Sequence, residues 1–177
     1  MEGAGTVRAN SDYDELLDKL ESAQEAEVVE LALVAAREHL GMDASYITTI
    51  DAQIQTIHAL VSDPETVNRY QGTVFPVEQT YCMRMLGGEI PSAVPDTRQE
   101  PAISELPVTQ EFHAYVGVPV TLSDGSVHGT LCCVSKETRP GLGPDEVRFM
   151  QVLADIVGAR VDRVHGDIAR LTERFKR

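Results

Sequence analysis

Ala114-Tyr115-Val116-Gly117-Val118-Pro119-Val120-Thr121-Leu122, then Ser123-Asp124-Gly125-Ser126, then Val127-His128-Gly129-Thr130-Leu131-Cys132-Cys133-Val134-Ser135: two β-rich runs flank an Asp-Gly pair, which tolerates the positive φ that a tight hairpin turn demands. With Leu122 opposite Val127, Val120 faces Gly129, Val118 faces Leu131 and Val116 faces Cys133, so one side of the ribbon is almost wholly apolar. The other side carries Tyr115, Gly117, Pro119 and Thr121 against Val134, Cys132, Thr130 and His128, a mixture suited to lining a cavity. A slip of one residue would mix the two sets. This register sends Cys133 into a helix-packed core and Cys132 to the opposite side. Pro119 lacks an amide donor and so requires a bulge or an unbonded position.

Upstream, Val28, Leu31, Ala32, Ala35 and Ala36 recur at helical spacing, with Gly41 as the stop after Leu40. An earlier helix is expected through Leu16, Leu17 and Leu20, after a tail of residues 1–10. Residues Tyr46 to Ile50 favour a strand, and Asp51-Ala52-Gln53 turns it into a second strand over Ile54 to Leu60. The stretch from Ser62 to Gly72 is polar and irregular, as a crossing loop is. A short helix is expected over Val77 to Leu86, where Val77, Tyr81 and Met85 share a face. Ser92 to Pro95 reads as extended, and Asp96 to Glu105 as a loop or one helical turn.

Downstream, Pro144 stands at a first helical position with Asp145 and Glu146 behind it, where the helix dipole favours acids. Val157, Val161, Val164, Ile168, Leu171 and Phe175 then step at the spacing of a coiled-coil seam. A helix from Pro144 to Lys176 spans roughly 50 Å at 1.5 Å per residue, more than a small domain is wide. A parallel homodimer along these six residues is the expected use of the stripe; folding back on Leu16 to Leu20 is the alternative.

The 177 residues suit one core, with a flexible tail (1–10), a domain (11–165) and an extension of the exit helix (166–177). Asp and Glu number 28 against 15 Lys and Arg, and the net charge of −13 repels phosphate backbones and anionic lipid, which argues against nucleic-acid and membrane partners. No stretch approaches the roughly 20 apolar residues of a membrane span, and the first residues lack signal-peptide character, so a cytoplasmic location is expected. Cys82, Cys132 and Cys133 show no zinc-type spacing, and neither a metal nor a catalytic residue is assigned.

Tyr115-Val116-Gly117-Val118-Pro119-Val120, the Asp124-Gly125 turn and Gly129-Thr130-Leu131-Cys132 together resemble the late hairpin of GAF domains. Glu78-Gln79-Thr80-Tyr81-Cys82, with Val94-Pro95-Asp96-Thr97 downstream, is similar to a bacterial subset that stands before cyclic-di-GMP enzymes, histidine kinases or phosphatases. The resemblance covers roughly residues 24 to 165. It implies an α+β fold: an antiparallel sheet of five or six strands, helices on one face, a ligand pocket on the other and a long carboxy-terminal helix. It also implies a sensory, non-enzymatic domain that binds an unidentified small molecule, dimerises and signals to an output domain or partner. The candidate ligand residues are Tyr81, Cys82, Met85, Asp96, Thr97, His113, Tyr115, Thr130 and Cys132.

No cofactor is specified by the resemblance. Cyclic-nucleotide members carry Asn-Lys and later Phe-x-x-x-Asp-Glu, where this chain has Ser135-Lys136 and Gly141 ahead of Asp145-Glu146. Bilin attachment favours Cys followed by His, and Cys82 is followed by Met83. Haem needs a pocket imidazole, for which His113 is the candidate. Two alternatives stand beside the sensory reading: a thiol enzyme of the free-methionine sulfoxide reductase type using Cys82 and Cys132, and a ligand-free dimerisation module.

Overall fold

The computed structural model describes residues 24–176; the expected tail and the helix through Leu16 to Leu20 lie outside the described residues. A first helix, α1, occupies 24–40 and ends at Gly41 with φ +62°. Strands β1 (Ala44–Asp51) and β2 (Ile54–Val61) form a hairpin, followed by α2 (Pro64–Tyr70), β3 (Val74–Pro76), α3 (Tyr81–Leu86) and β4 (Ala93–Val94). The quoted stretch forms β5 (Ala114–Thr121) and β6 (Val127–Ser135), and α4 runs from Pro144 to Phe175. The six strands make one antiparallel sheet in the order β3-β2-β1-β6-β5-β4.

The hairpin pairs Val116 with Cys133, Val118 with Leu131 and Val120 with Gly129, as the alternation requires. At the tip the structure departs from the expected pairing: Leu122 donates its amide to the Ser126 carbonyl, and Thr121, not Leu122, stands opposite Val127. The loop is therefore three residues long, closed by the Gly125 amide on the Leu122 carbonyl. His128 is the extra residue that absorbs the offset, so the register beyond it is undisturbed. Pro119 needs no bulge. The Gly117 amide bonds the Ser92 carbonyl on the β4 side, and Pro119, two residues on, turns its missing donor the same way, beyond the end of the short β4.

One face of the sheet is covered by α1 and α4. Ile47, Val116, Val118, Leu131 and Cys133 meet Leu33 and Ala36 of α1 and Met150, Ala154, Val157 and Val161 of α4. The Ser45 hydroxyl donates to the Leu33 carbonyl at 2.6 Å, and His39 stacks on Phe149 with ring centres 3.9 Å apart. At Gly158 the helix lies so close to the sheet that a Cβ would stand 2.7 Å from the Thr121 carbonyl oxygen.

Two expectations are corrected here. The buried stripe of α1 is Val29, Ala32, Leu33 and Ala36, while Leu31 is 64% exposed. The apolar residues outnumber one face, and of two leucines of equal size it is Leu33 that the packing of α1 on the sheet turns inward. In α4, Val157 and Val161 are 1% exposed in the domain's own core and Val164 is buried, so the first half of the expected intermolecular seam packs within the chain. Ile168 and Leu171 are half-buried and Phe175 is exposed.

Truncating Leu33 to Ala removes fully buried volume and is expected to cost about 2–5 kcal/mol, whereas Leu31→Ala is expected to stay within about 0.5 kcal/mol. Urea denaturation of the two variants checks the facing of α1, and the reverse ranking would rotate the helix back.

Candidate functional site

The second face of the sheet lies beneath short elements, and its first cover comes from a segment expected to be a loop. Asp63 accepts from the Thr66 amide at 3.0 Å and Pro64 occupies the first turn, so residues Pro64–Tyr70 form α2 instead. The expected helix over Val77 to Leu86 is likewise divided, into a 3₁₀ turn at Val77–Gln79 and α3, because Thr80 caps α3 through its hydroxyl.

Tyr81 fastens this layer. Its hydroxyl lies 2.8 Å from that of Thr109 and donates to the Phe112 carbonyl at 2.9 Å, and its ring meets Tyr115 edge-on at 5.3 Å. Burial raises the Tyr81 phenol above its ordinary value. Tyr70 donates to the Glu111 carboxylate, which also pairs with Arg69 at 3.5 Å. Burial first, then the hydrogen bond to Glu111 and after it the Glu111 charge, push Tyr70 up to about 12.

Between sheet and cover lies a cavity of about 70 Å³. Its floor is Ala44, Tyr46, Ile57, Phe75 and Val134 of the sheet; its cover includes Tyr70, Tyr81 and Phe112. The wall is almost entirely apolar, with one exception of consequence. Gln55 is 3% exposed, and its side-chain oxygen has no hydrogen-bond partner. An unpartnered buried amide oxygen costs about 1–3 kcal/mol, which a donor in the cavity would recover once a shift of the Gln55 side chain brought the oxygen within its reach. A larger, open groove of about 620 Å³ lies on the other face between α1 and β1–β2, with Glu25, Glu30, His58 and His128 around it.

Of the expected ligand residues, Tyr81 lines the cavity. Cys82, Met85, Tyr115 and Cys132 belong to the buried cluster on the same side of the sheet. Thr130 is buried and its hydroxyl lies 2.6 Å from that of Thr48. Asp96, Thr97 and His113 gather at the β4–β5 end, where Asp96 accepts from the Arg98 amide and the Thr97 amide donates to the His113 carbonyl; the buried Thr97 hydroxyl reaches back to donate to the Phe112 carbonyl that Tyr81 also bonds. The residues missed were Tyr46, Gln55, Ile57, Tyr70 and Phe112. Gln55 and Ile57 do share one face of β2 by alternation, but nothing local showed that the face was roofed.

The two thiols do come together. The sulfurs of Cys82 and Cys132 are 3.3 Å apart, both buried, and the Tyr115 hydroxyl lies 3.5 Å from Cys132 Sγ. Gly117 makes this possible, since a Cβ there would overlap the Tyr115 hydroxyl and come within 3.0 Å of Cys132 Sγ. Cys82 is held below the ordinary thiol range, first by its hydrogen bond with Cys132 and then by the hydroxyls of Thr130, Tyr115 and Tyr46. Cys132 moves the opposite way, raised by burial and by its neighbour. Among the described residues, no group of three or more His, Cys, Asp and Glu is placed to hold a metal, and no helix is long and apolar enough to cross a membrane.

An antiparallel sheet with helices on one face and a roofed cavity on the other is the architecture that the resemblance to GAF domains implies, and the family comparison agrees. The GAF domain model matches residues 25–161, and the chain belongs to the GAF family. A search of curated proteins gave no match. Among solved structures, the chain resembles the blue-light absorbing form of the PixJ GAF domain of Thermosynechococcus elongatus, with 17% identity and a TM-score of 0.68 over 86% of this chain and 94% of that one. It also resembles the GAF domain of a phosphoenolpyruvate-protein phosphotransferase from Coxiella burnetii (18% identity, TM-score 0.63, covering 88% and 98%). The GAF-B domain of DevS from Mycobacterium smegmatis is similar as well (16%, 0.60, covering 83% and 98%).

Gly117→Ala is expected to displace Tyr115 from Cys132 and destabilise the fold by about 1–3 kcal/mol, read as a lower denaturation midpoint with a changed near-ultraviolet tyrosine signal. At α2, hydrogen bonds from the Thr66 amide and hydroxyl lower the Asp63 carboxyl to about 2. The cap is thus complete above the unfolded value of roughly 3.9 and is lost as pH falls through the lower, folded one. The Thr66 amide resonance is expected to titrate with its midpoint near that folded value; a midpoint at the unfolded value would remove the cap.

Proposed function

We propose that this GAF domain is a sensory module whose ligand is a small, mainly apolar molecule carrying one hydrogen-bond donor, held in the cavity above β1 and β2. The observation that carries the reading is the unpartnered side-chain oxygen of Gln55, a residue of a mainly apolar wall. Polar groups are few in small-molecule sites, and they fix orientation. At about 70 Å³ the cavity has room for a handful of non-hydrogen atoms, and a larger ligand requires α2 and α3 to move outward. The module acts by binding rather than turnover.

Transmission follows from what the site touches. Residues Ala44, Tyr46 and Val134 of its floor belong to β1 and β6, whose opposite faces pack on α1 and α4. The hairpin tip is also tied to the exit helix, since the Ser123 amide donates to the Asp162 carboxylate at 2.9 Å. A ligand that favours one arrangement of these layers shifts the population of α4 positions; equal affinity for both would transmit nothing. The names of the structural relatives fit a signalling role, for they include a cyanobacteriochrome receptor and a methyl-accepting chemotaxis protein. The carboxy-terminal part of α4, through Ile168, Leu171 and Phe175, is proposed to pair with a second copy of the chain and lead to an output domain or partner.

Pyrrole and furan provide a matched pair, equal in shape but with a donor only in pyrrole. Pyrrole is expected to shift the resonances of Tyr46, Ile57 and Tyr81 and to bind roughly tenfold tighter than furan, and Gln55→Leu is expected to erase the difference. Absence of shifts at these residues with both probes would refute the site. For the pairing, sedimentation velocity should show a dimer that Ile168→Asp with Leu171→Asp converts to monomer; a double variant that stays dimeric counts against the seam.

A further inference from the structure

The one pair of reactive groups that the ligand reading leaves unused is Cys82 with Cys132. The two lie 50 positions apart in sequence, on α3 and β6, yet their sulfurs stand 3.3 Å from each other. A disulfide bond is about 2.05 Å long, so closure asks the sulfurs to approach by about 1.3 Å. Their surroundings are unlike those of a packing cysteine. Hydroxyls of Tyr46, Tyr115 and Thr130 converge on the pair within a cluster that is otherwise apolar. Cys133 offers the contrast: it faces the helix-covered core, where burial alone raises its thiol.

We propose that Cys82 and Cys132 form a reversible disulfide site oxidised by hydroperoxides, linking α3 to β6 beside the cavity. Tyr46 and Tyr81 both line the cavity; Tyr46 stands opposite Cys132 in the β1–β6 ladder, and Tyr81 precedes Cys82. Neither cysteine lines the cavity itself, so the oxidant reaches the sulfurs from it when these two tyrosines shift aside. The Cys82 thiolate attacks the terminal oxygen of the hydroperoxide, the O–O bond breaks, and the departing alkoxide takes the proton given up by the thiol to leave as an alcohol. Cys82 is now a sulfenic acid. The Cys132 sulfur attacks the sulfenic sulfur, the S–O bond breaks, and the hydroxide leaves with the Cys132 proton as water. Two thiols lose two electrons in all and the hydroperoxide gains them, giving one disulfide, one alcohol and one water.

The formation of the bond draws α3 toward the sheet and with it Tyr81, one wall of the cavity. This site does not depend on the ligand reading, since it needs only the sulfur pair and a small oxidant. The test uses the full chain, reduced with dithiothreitol, desalted and exposed to a modest excess of tert-butyl hydroperoxide, the smallest common alkyl hydroperoxide that still leaves as an alcohol. Counted under denaturing conditions, accessible thiols are expected to fall from three to one, with the intact mass lower by two hydrogens and the chain monomeric on a non-reducing gel. Dithiothreitol is expected to restore all three. Cys133→Ala removes the bystander thiol and is expected to fall from two thiols to none, while Cys82→Ala and Cys132→Ala each form no internal link.

Retention of three thiols in the wild type would overturn the proposal. So would a Cys133→Ala protein that keeps its two thiols, a covalent dimer in place of the internal link, or a gain of oxygen mass on the wild type without loss of hydrogens. The wild-type measurements need no substitution, so a variant that fails to fold leaves the test intact.

Discussion

From Gly129 to its end, strand β6 has water on neither side, and the organisation of the molecule follows from that constraint. It is bonded to β1 along one edge and β5 along the other, so its backbone polar groups are satisfied within the sheet. From Gly129 to Ser135 every residue is buried. Such a strand must be covered twice, and the two covers are of different kinds. Even and odd positions divide between them: Leu131 and Cys133 meet the helices, while Cys132 and Val134 meet the short elements. A shift of one residue would exchange the two environments, which pins the register more firmly than hydrogen bonding alone.

The two covers differ in how they are built. Helices α1 and α4 bring long apolar stripes to a sheet that approaches closely, and a substitution there meets backbone or fully packed side chains. The opposite cover is assembled from α2, α3 and 3₁₀ turns, each held by a few side-chain hydrogen bonds such as those of Asp63, Thr80 and Tyr81. Short pieces cannot tile a twisted sheet without gaps, and the cavity is where they fail to meet. The same piecewise construction would let that layer move with the proposed ligand or disulfide while the helical layer keeps the fold.

Alternation and turn chemistry made the sheet's centre legible in the sequence. Val116, Val118 and Val120 against Leu131 and Cys133 allow one reading, and the separation of Cys132 from Cys133 followed directly. Where a local signal had two solutions, the structure chose on tertiary grounds. The apolar surplus of α1 admits stripes through Leu31 or Leu33, and only contact with the sheet selects Leu33. The polar run from Ser62 to Gly72 concealed a helix because its cap, Asp63, and its proline were read as loop residues. The site was the least legible part, since Gln55, Tyr70 and Phe112 are brought together by elements whose positions no local pattern encodes.

The exit helix shows how one stripe can serve two masters. Its apolar residues keep a single seam spacing from Val157 to Phe175, yet the sheet beneath it is finite. A strand of nine residues such as β6 spans about 30 Å, whereas the 32 residues of α4 extend about 48 Å. Val157 and Val161 therefore lie in the domain's core, and beyond them the stripe continues past the sheet into half-buried and exposed positions. A rigid helix anchored at Gly158 and tied to the hairpin tip at Asp162 carries any tilt of its anchored half to its far end. Small adjustments of the sheet are thus enlarged with distance along α4, which requires no rearrangement of the core that holds it.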